Sequence, residues 1–408
     1  MDKLPEVFRD MKISGITAPS SQEKLIIALD FGTTYSGVAY CFASQRDPQP
    51  SAVVHWPDSE AAPKTPTLIS YETGNPSSFK WGASANRQPD PSQQQPIFLP
   101  GNINRDLKAL PKPPVEVAAD FIRALYQHAL SAISATVPKM YLATCQKEFV
   151  MSAISASWSD AAKNATLRAA ETAGMSPVTL IKEPEAAALY TFKSLGFCVS
   201  CSDTFVLCDA GGGTVDLVSY EVESVLPRLE VKELVPGTGG MAGSLGLNER
   251  FRYAVRELVG EEKWLELSKS KAYSLAEKQF DQEIKRQFRD KSDEEYFVNF
   301  PMANLDDDVN NGLESNSWRL TGDKLKEIFD PLITDILRLI EQQVQSIQIK
   351  RGKKGVTGIC LVGGFGSSQY LKDRVQKENP DIQVLQPNDA WAAIKYVFMN
   401  SVFWNLDG

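Results

Sequence analysis

One pattern occurs twice, and it constrains the fold more than anything else in the chain. Residues 25–42 read LIIALDFGTTYSGVAYCF: an apolar run ending in Asp30, a turn of Gly32, Thr33 and Thr34, then a second apolar run. Residues 204–222 read TFVLCDAGGGTVDLVSYEV, where Asp209 ends the run and Gly211, Gly212, Gly213 and Thr214 make the turn. Each stretch is a strand, a polar turn and a second strand. From Asp30 to Asp209 the offset is 179 residues. A repeat at that distance predicts two similar α/β lobes and not a solenoid.

A glycine-bearing turn can offer backbone N–H groups to an anion, and threonine hydroxyls add further donors. A carboxylate at the strand end suits a hard cation held mostly through water. Two such turns facing across a cleft would hold a polyphosphate, with Asp30 and Asp209 holding Mg²⁺. A late apolar strand, residues 358–362, runs into Gly363, Gly364 and Phe365. Those glycines would let a nucleoside lie flat against the backbone. Lys285 and Arg286 could flank it, although adjacent basic residues on a helix also read as a solvated face. The sequence has no GxxxxGK[ST], which excludes a P-loop, and no GxGxxG in its first βα unit.

The rest reads as connecting α/β structure. Residues 1–23 look like a loose tail, and 48–114, rich in Pro, Ser, Gln and Asn, like a loop-rich insertion with minor sheet content. Helices are expected at 115–136, 161–173, 186–194, 243–259, 261–288, 321–347 and 390–398. Further strands are expected at 148–156, 178–181 and 381–385. Residues 301–318, with three consecutive aspartates, read as a surface excursion. The net charge of −8 argues against nucleic acid or an anionic membrane as partner. No run approaches a membrane span, and the N-terminus lacks the apolar core of a signal peptide. Cys198 and Cys201 form a single CxxC in a chain with two histidines, a poor zinc site. A soluble, reducing setting, cytoplasmic or nuclear, is the expectation.

Taken together, DFGTTYS (30–36), SASWSDAAKNATLRAAETAG (155–174), KEPEAAALY (182–190), DAGGGTVD (209–216), GTGGMAGS (237–244), EIKRQF (283–288) and LVGGFGSSQYL (361–371) carry a family likeness. The chain resembles the nucleotide-binding domain of the 70-kDa heat-shock chaperones, within the actin/hexokinase/heat-shock ATPase superfamily. It is most similar to the divergent heat-shock-70-like proteins abundant in fungi. That resemblance implies an actin-like ATPase fold, a ribonuclease H-like duplication with two lobes around a nucleotide cleft. Lobe I would be 24–202 with a final helix in 386–408, and lobe II 203–385. ATP or ADP with Mg²⁺ is the implied ligand. Thr33, Thr34 and Tyr35 fall in the first phosphate loop with Gly32, and Gly211 to Thr214 form the second. Gly239 and Gly240 follow in the cleft, Glu183 matches the glutamate that orders the attacking water, and Gly363, Gly364 and Phe365 match the adenosine loop. Lys285 and Arg286 match the basic pair beside adenine and ribose.

Some positions depart from the family pattern. The chaperones use a first-lobe lysine near the γ-phosphate. The corresponding stretch here, PIFLPGNINRDLKAL, offers no match, leaving Lys80 and Lys108 as candidates by neighbourhood. Gln282 stands where the adenosine motif usually has Glu. The final helix lacks its usual Gly-Ala continuation, and no peptide-binding domain follows, so no peptide client is expected through one. The expected function is Mg-ATP binding with slow hydrolysis, with co-chaperone or exchange-factor proteins as partners. The alternatives are a non-hydrolysing pseudo-ATPase acting as a nucleotide-dependent binding module and, from the same superfamily, a sugar kinase.

Overall fold

A computed structural model describes residues 23–43, 50–72, 74–86, 97–98, 111–154, 160–182, 184, 187–188, 191–192, 199–225, 229–291, 294–352 and 355–387. In the first half, β1 (Lys24–Phe31) turns into β2 (Tyr35–Phe42), followed by the short β3 (Ser51–Ala52) and β4 (Thr65–Pro66). Next come β5 (Leu68–Glu72), β6 (Asn75–Trp81), β7 (Ile97–Phe98), helix α1 (Pro114–Thr136), β8 (Gln146–Ile154), α2 (Asp160–Thr172) and β9 (Val178–Lys182). The second half carries β10 (Thr204–Ala210), β11 (Val215–Ser224), β12 (Glu230–Gly240), α3 (Leu245–Leu267) and α4 (Lys271–Gln279). It continues through β13 (Tyr296–Asn299), β14 (Leu313–Glu314), β15 (Ser317–Leu320), α5 (Gly322–Arg351), β16 (Gly358–Val362), α6 (Gln369–Glu378) and β17 (Gln383–Leu385).

The two main sheets repeat one another. One runs β3-β2-β1-β8-β9 and the other β12-β11-β10-β16-β17. In both, the first strand pairs antiparallel with its hairpin partner and parallel with the strand on its other side. The hairpin registers agree as well: Asp30 lies opposite Gly37, and Asp209 opposite Asp216. This is the duplicated α/β arrangement of the actin-like ATPases.

Packing explains why β1 and β10 are almost wholly apolar: each is buried on both faces, as parallel central strands must be. Leu25, Ile27 and Leu29 meet Phe121, Ile122 and Leu125 of α1, whereas Ile26 and Ala28 pack with Ala39, Cys41 and Val150. Val206, Cys208 and Ala210 join the large core of the second half, whereas Phe205 and Leu207 face Ala187, Ala188 and Phe192. Helix α5 contributes Leu325, Ile328, Phe329, Leu332, Ile336 and Ile340 to that core. The Thr321 side chain caps its N-terminus by accepting from the Lys324 N–H.

Two segments hold more structure than their composition suggests. Among the described residues of 48–114, β5 pairs with β6 and β7 in a separate sheet, with Ile69 and Tyr71 buried. The Tyr71 hydroxyl donates to Asp120 of α1 at 2.9 Å. Residues 301–318 are no mere excursion: they lead into a hairpin that pairs with β13 and buries Leu313 and Trp318 in the second core. Its aspartates are turn formers, since Asp307 accepts from the Ser315 N–H and Asp308 from Asn311. The region 261–288 is broken rather than continuous, with Gly260 at φ 75° inside α3, Ser270 capping α4, and a π turn at Phe280–Ile284. The expected helix 390–398 lies outside the described residues.

Candidate functional site

The first turn is tight. A β-carbon on Gly32 would stand 2.5 Å from the Tyr35 carbonyl oxygen, so no larger residue fits. Behind it, Thr67 donates from its hydroxyl to the Gly32 carbonyl and from its N–H to the Thr34 carbonyl, both at 2.8 Å. The second turn is tied in the same way: Ser244 N–H donates to the Gly211 carbonyl at 3.1 Å and Leu245 N–H to the Gly212 carbonyl at 2.8 Å. Carbonyl oxygens repel phosphate, and in both loops several are engaged by the scaffold behind them.

The loops touch each other. A β-carbon on Gly212 would lie 2.5 Å from Thr34 Oγ1, and one on Gly213 would lie 3.4 Å from Thr33 Cγ2. Gly243 backs the second loop so closely that its β-carbon would stand 2.3 Å from the Gly212 oxygen. Thr214 donates its hydroxyl to Asp216 Oδ2 at 3.0 Å. Asp216 is buried, and it was not among the residues singled out from the sequence. It fixes the orientation of Thr214.

Asp30 and Asp209 end β1 and β10 beside these turns. Asp30 is 4% exposed. The Asp209 carboxyl is pushed up to about 7 by burial first, then by the charges of Asp216 and Asp30, with Lys64 acting in the opposite direction. Gly363, at φ 84°, covers it: a β-carbon there would stand 2.2 Å from Asp209 Oδ1. Among the described residues no group of three or more His, Cys, Asp and Glu could hold a metal. A cation here would rely on two carboxylates plus phosphate oxygens and water, a donor set that suits Mg²⁺.

Lys64 is the residue that the sequence reading missed. Its ammonium sits 2.5 Å from Asp30 Oδ2. No local pattern marks it, because the β2–β4 pairing that brings it in is non-local. Lys80, by contrast, lies exposed on β6 in the separate sheet, and Lys108 is outside the described residues. Glu183 also lies outside them.

The expected nucleoside side resolves unevenly. Lys285 is buried, and its ammonium donates to Asp281 at 2.7 Å, to Asn248 at 2.9 Å and to the Ser244 carbonyl at 3.1 Å. Those three bonds use its full donor set, so it works as a clamp between the π turn and the start of α3. Burial lowers its pKa, and Asp281 opposes the shift. Arg286 is exposed and acts electrostatically on Tyr35 from the other loop, together with Asp281. Phe365 is buried in the second core, leaving its backbone as the part that could meet a ligand. A β-carbon on Gly364 would meet nothing within 4 Å. Gly240 packs on Leu339 of α5, and Gly239 leaves room for the Asp216 carboxylate across β12 and β11.

The sequence profile of the family described as "Hsp70 protein" matches residues 111–380. The chain belongs to the Hsp70 family. Human Heat shock 70 kDa protein 12B is 23% identical over 91% of this chain and 67% of its own length. Chaperone protein HscA homolog of Laribacter hongkongensis is 26% identical over 50% of this chain and 33% of its own length. Human Heat shock 70 kDa protein 12A is 25% identical over 50% and 32%. The chain therefore spans about two thirds of the first relative and about one third of the other two. Hsp70 nucleotide-binding domains take adenine nucleotides, and the matched residues include the second loop, the Lys285 clamp and the Gly363 turn. The first loop and Lys64 precede the matched span. No helix among the described residues is long and apolar enough to cross a membrane.

Proposed function

We propose that the protein binds Mg-ATP between two lobes, 24–202 and 203–385, and hydrolyses it slowly to ADP and phosphate. The observation that carries this reading is the meeting of two equivalent loops, Thr34 on Gly212 and Thr33 on Gly213, with a carboxylate at the base of each. Gly32 to Tyr35 and Gly211 to Thr214 would cradle the β- and γ-phosphates through amides and hydroxyls. Asp30 and Asp209 would hold Mg²⁺, largely through water. When bound, the cation supplies neutralisation of phosphate charge. Glu183 is assigned to ordering the attacking water. Gly363 and Gly364 would support the nucleoside, and Arg286 would flank it, while Lys285, Phe365, Gly239 and Gly240 shape the site from behind. Exchange-factor or co-chaperone proteins in the cytoplasm are the partners this reading implies.

The test is single-turnover hydrolysis of Mg-ATP alongside calorimetric binding, for wild type and Asp209→Ala. Binding with turnover, both weakened in the variant, is the expected result. Tight binding without turnover above background supports the alternative of a nucleotide-dependent binding module. Equal binding by the variant refutes the site.

A further inference from the structure

The basic residue facing the carboxylates comes from a segment that no motif predicted. Lys64 lies between Pro63 and Pro66, which restrict the backbone on both sides of the Lys64-Thr65 pair. Thr65 and Pro66 pair with Ser36 and Tyr35 of β2. Thr67 then bonds the first loop three times: to the Gly32 and Thr34 carbonyls, and to the Ser36 hydroxyl at 2.8 Å. From the other side Gly82 closes on Thr65, where a β-carbon would stand 2.6 Å from Oγ1. The base of Lys64 is therefore fixed to the very loop assigned to phosphate. Its side chain is 26% exposed and ends on a carboxylate that is 5% exposed.

Such an ammonium has two uses for its charge. It neutralises Asp30, which would otherwise be a buried anion beside Asp209. It also blocks a lone pair that a divalent cation would need. Phosphate oxygens are strong acceptors for a freed ammonium.

We propose that Lys64 is a tethered counter-ion: it shares Asp30 with the incoming cation and, once displaced, passes its ammonium to the terminal phosphates of the nucleotide. The exchange keeps the number of close charge pairs constant. It makes metal and polyphosphate bind together better than either binds alone. This proposal rests on the reading that the cleft takes Mg-ATP.

The experiment titrates three ligands into wild type, Lys64→Gln and Lys64→Arg by calorimetry: Mg²⁺ alone, ATP in saturating Mg²⁺, and AMP. Lys64→Gln is expected to bind Mg²⁺ alone several-fold more tightly and ATP in saturating Mg²⁺ about tenfold or more weakly, as for loss of a charged hydrogen bond. AMP affinity should stay within about twofold, because the adenosine side is untouched, and Lys64→Arg should keep most of the ATP affinity. A purely structural Lys64 would lower the ATP and AMP affinities together, and that overturns the proposal. Unchanged ATP affinity in Lys64→Gln overturns it too, while leaving the nucleotide reading intact. A wild type that binds neither ATP nor AMP overturns both.

Discussion

Gly363 and Gly364 are adjacent, and the structure gives them opposite reasons to be glycine. Gly363 has φ 84°, and a β-carbon there would stand 2.2 Å from Asp209 Oδ1 and 2.6 Å from the Ala210 carbonyl oxygen. Gly364 has ordinary φ, and its β-carbon would meet nothing. For Gly363→Ala the left-handed backbone costs ~1–2 kcal/mol. Forcing a methyl against backbone and a fixed carboxylate adds ~1–3 kcal/mol. The sum is about 3 kcal/mol, which in a chain of this size lowers the melting midpoint by about 3–4 °C. Gly364→Ala should melt within about 0.5 kcal/mol of wild type. If its glycine serves a nucleoside, the same variant should bind ATP, ADP and adenosine several-fold more weakly. Gly174 is the control for the backbone term, with φ 95° and open space, so Gly174→Ala should cost only ~1–2 kcal/mol. Thermal melts by circular dichroism, paired with calorimetry, decide the matter. A Gly363→Ala protein that melts with Gly174→Ala would refute the claim that Asp209 is pinned by that turn.

Other perturbations follow from the same geometry. The Asp209 carboxyl, raised to about 7, holds a proton in the folded chain at pH values where the unfolded chain has lost it. Its contribution to stability is thus fully present below its unfolded value of 3.8 and disappears as pH rises through about 7. Without nucleotide, wild type should lose stability as pH rises from about 4 to about 7 and change little above that, and Asp209→Asn should lack that component in melts across the range. Gln343 is 1% exposed and bonds Ser219, the Pro236 carbonyl and Thr238. Gln343→Leu strands three polar groups under β12 and should cost about 2–4 kcal/mol in denaturant unfolding. Lys285→Met should be similarly destabilising, because Asp281 and Asn248 lose a shared buried donor. Arg286→Ala, at an exposed position, should leave the melt unchanged and weaken nucleotide binding alone.

The parts of this molecule that the sequence discloses are those whose physics is local. Apolar runs ending in Asp30 and Asp209, with their glycine turns, are strand hairpins whatever surrounds them. The proline entry and apolar spacing of α1 mark it within one residue of its observed start. What stayed hidden depends on contacts between distant segments. Trp318 follows an acidic, asparagine-rich stretch and looks like surface, yet cross-strand pairing with Val298 buries it. Lys285 reads as a ligand residue by motif, but Asn248 and Ser244, some forty residues earlier, use its donors. Lys64 reads as nothing at all until β4 pairs with β2.

The imperfect repeat has a physical reason of its own. Shifting by the Asp30-to-Asp209 offset sets Thr33 and Thr34 against Gly212 and Gly213. The observed contacts are crossed: Thr33 meets Gly213, the equivalent of Thr34, and Thr34 meets Gly212, the equivalent of Thr33. That is the reciprocal pattern of a two-fold contact. Two identical threonine turns could not approach so closely, since the β-carbon tested at Gly212 already collides with Thr34. Two bare glycine turns would approach but lose the hydroxyls. One turn must carry the side chains and the other must give way. Restoring symmetry with Gly212→Thr should therefore push the turns apart, whereas the exchange of both pairs, Thr33→Gly and Thr34→Gly with Gly212→Thr and Gly213→Thr, should bring them back. Nucleotide affinity measured across that cycle should fall in the single variant and recover in part in the fourfold one. Equal losses in both would mean that the contact between the turns does not govern the site.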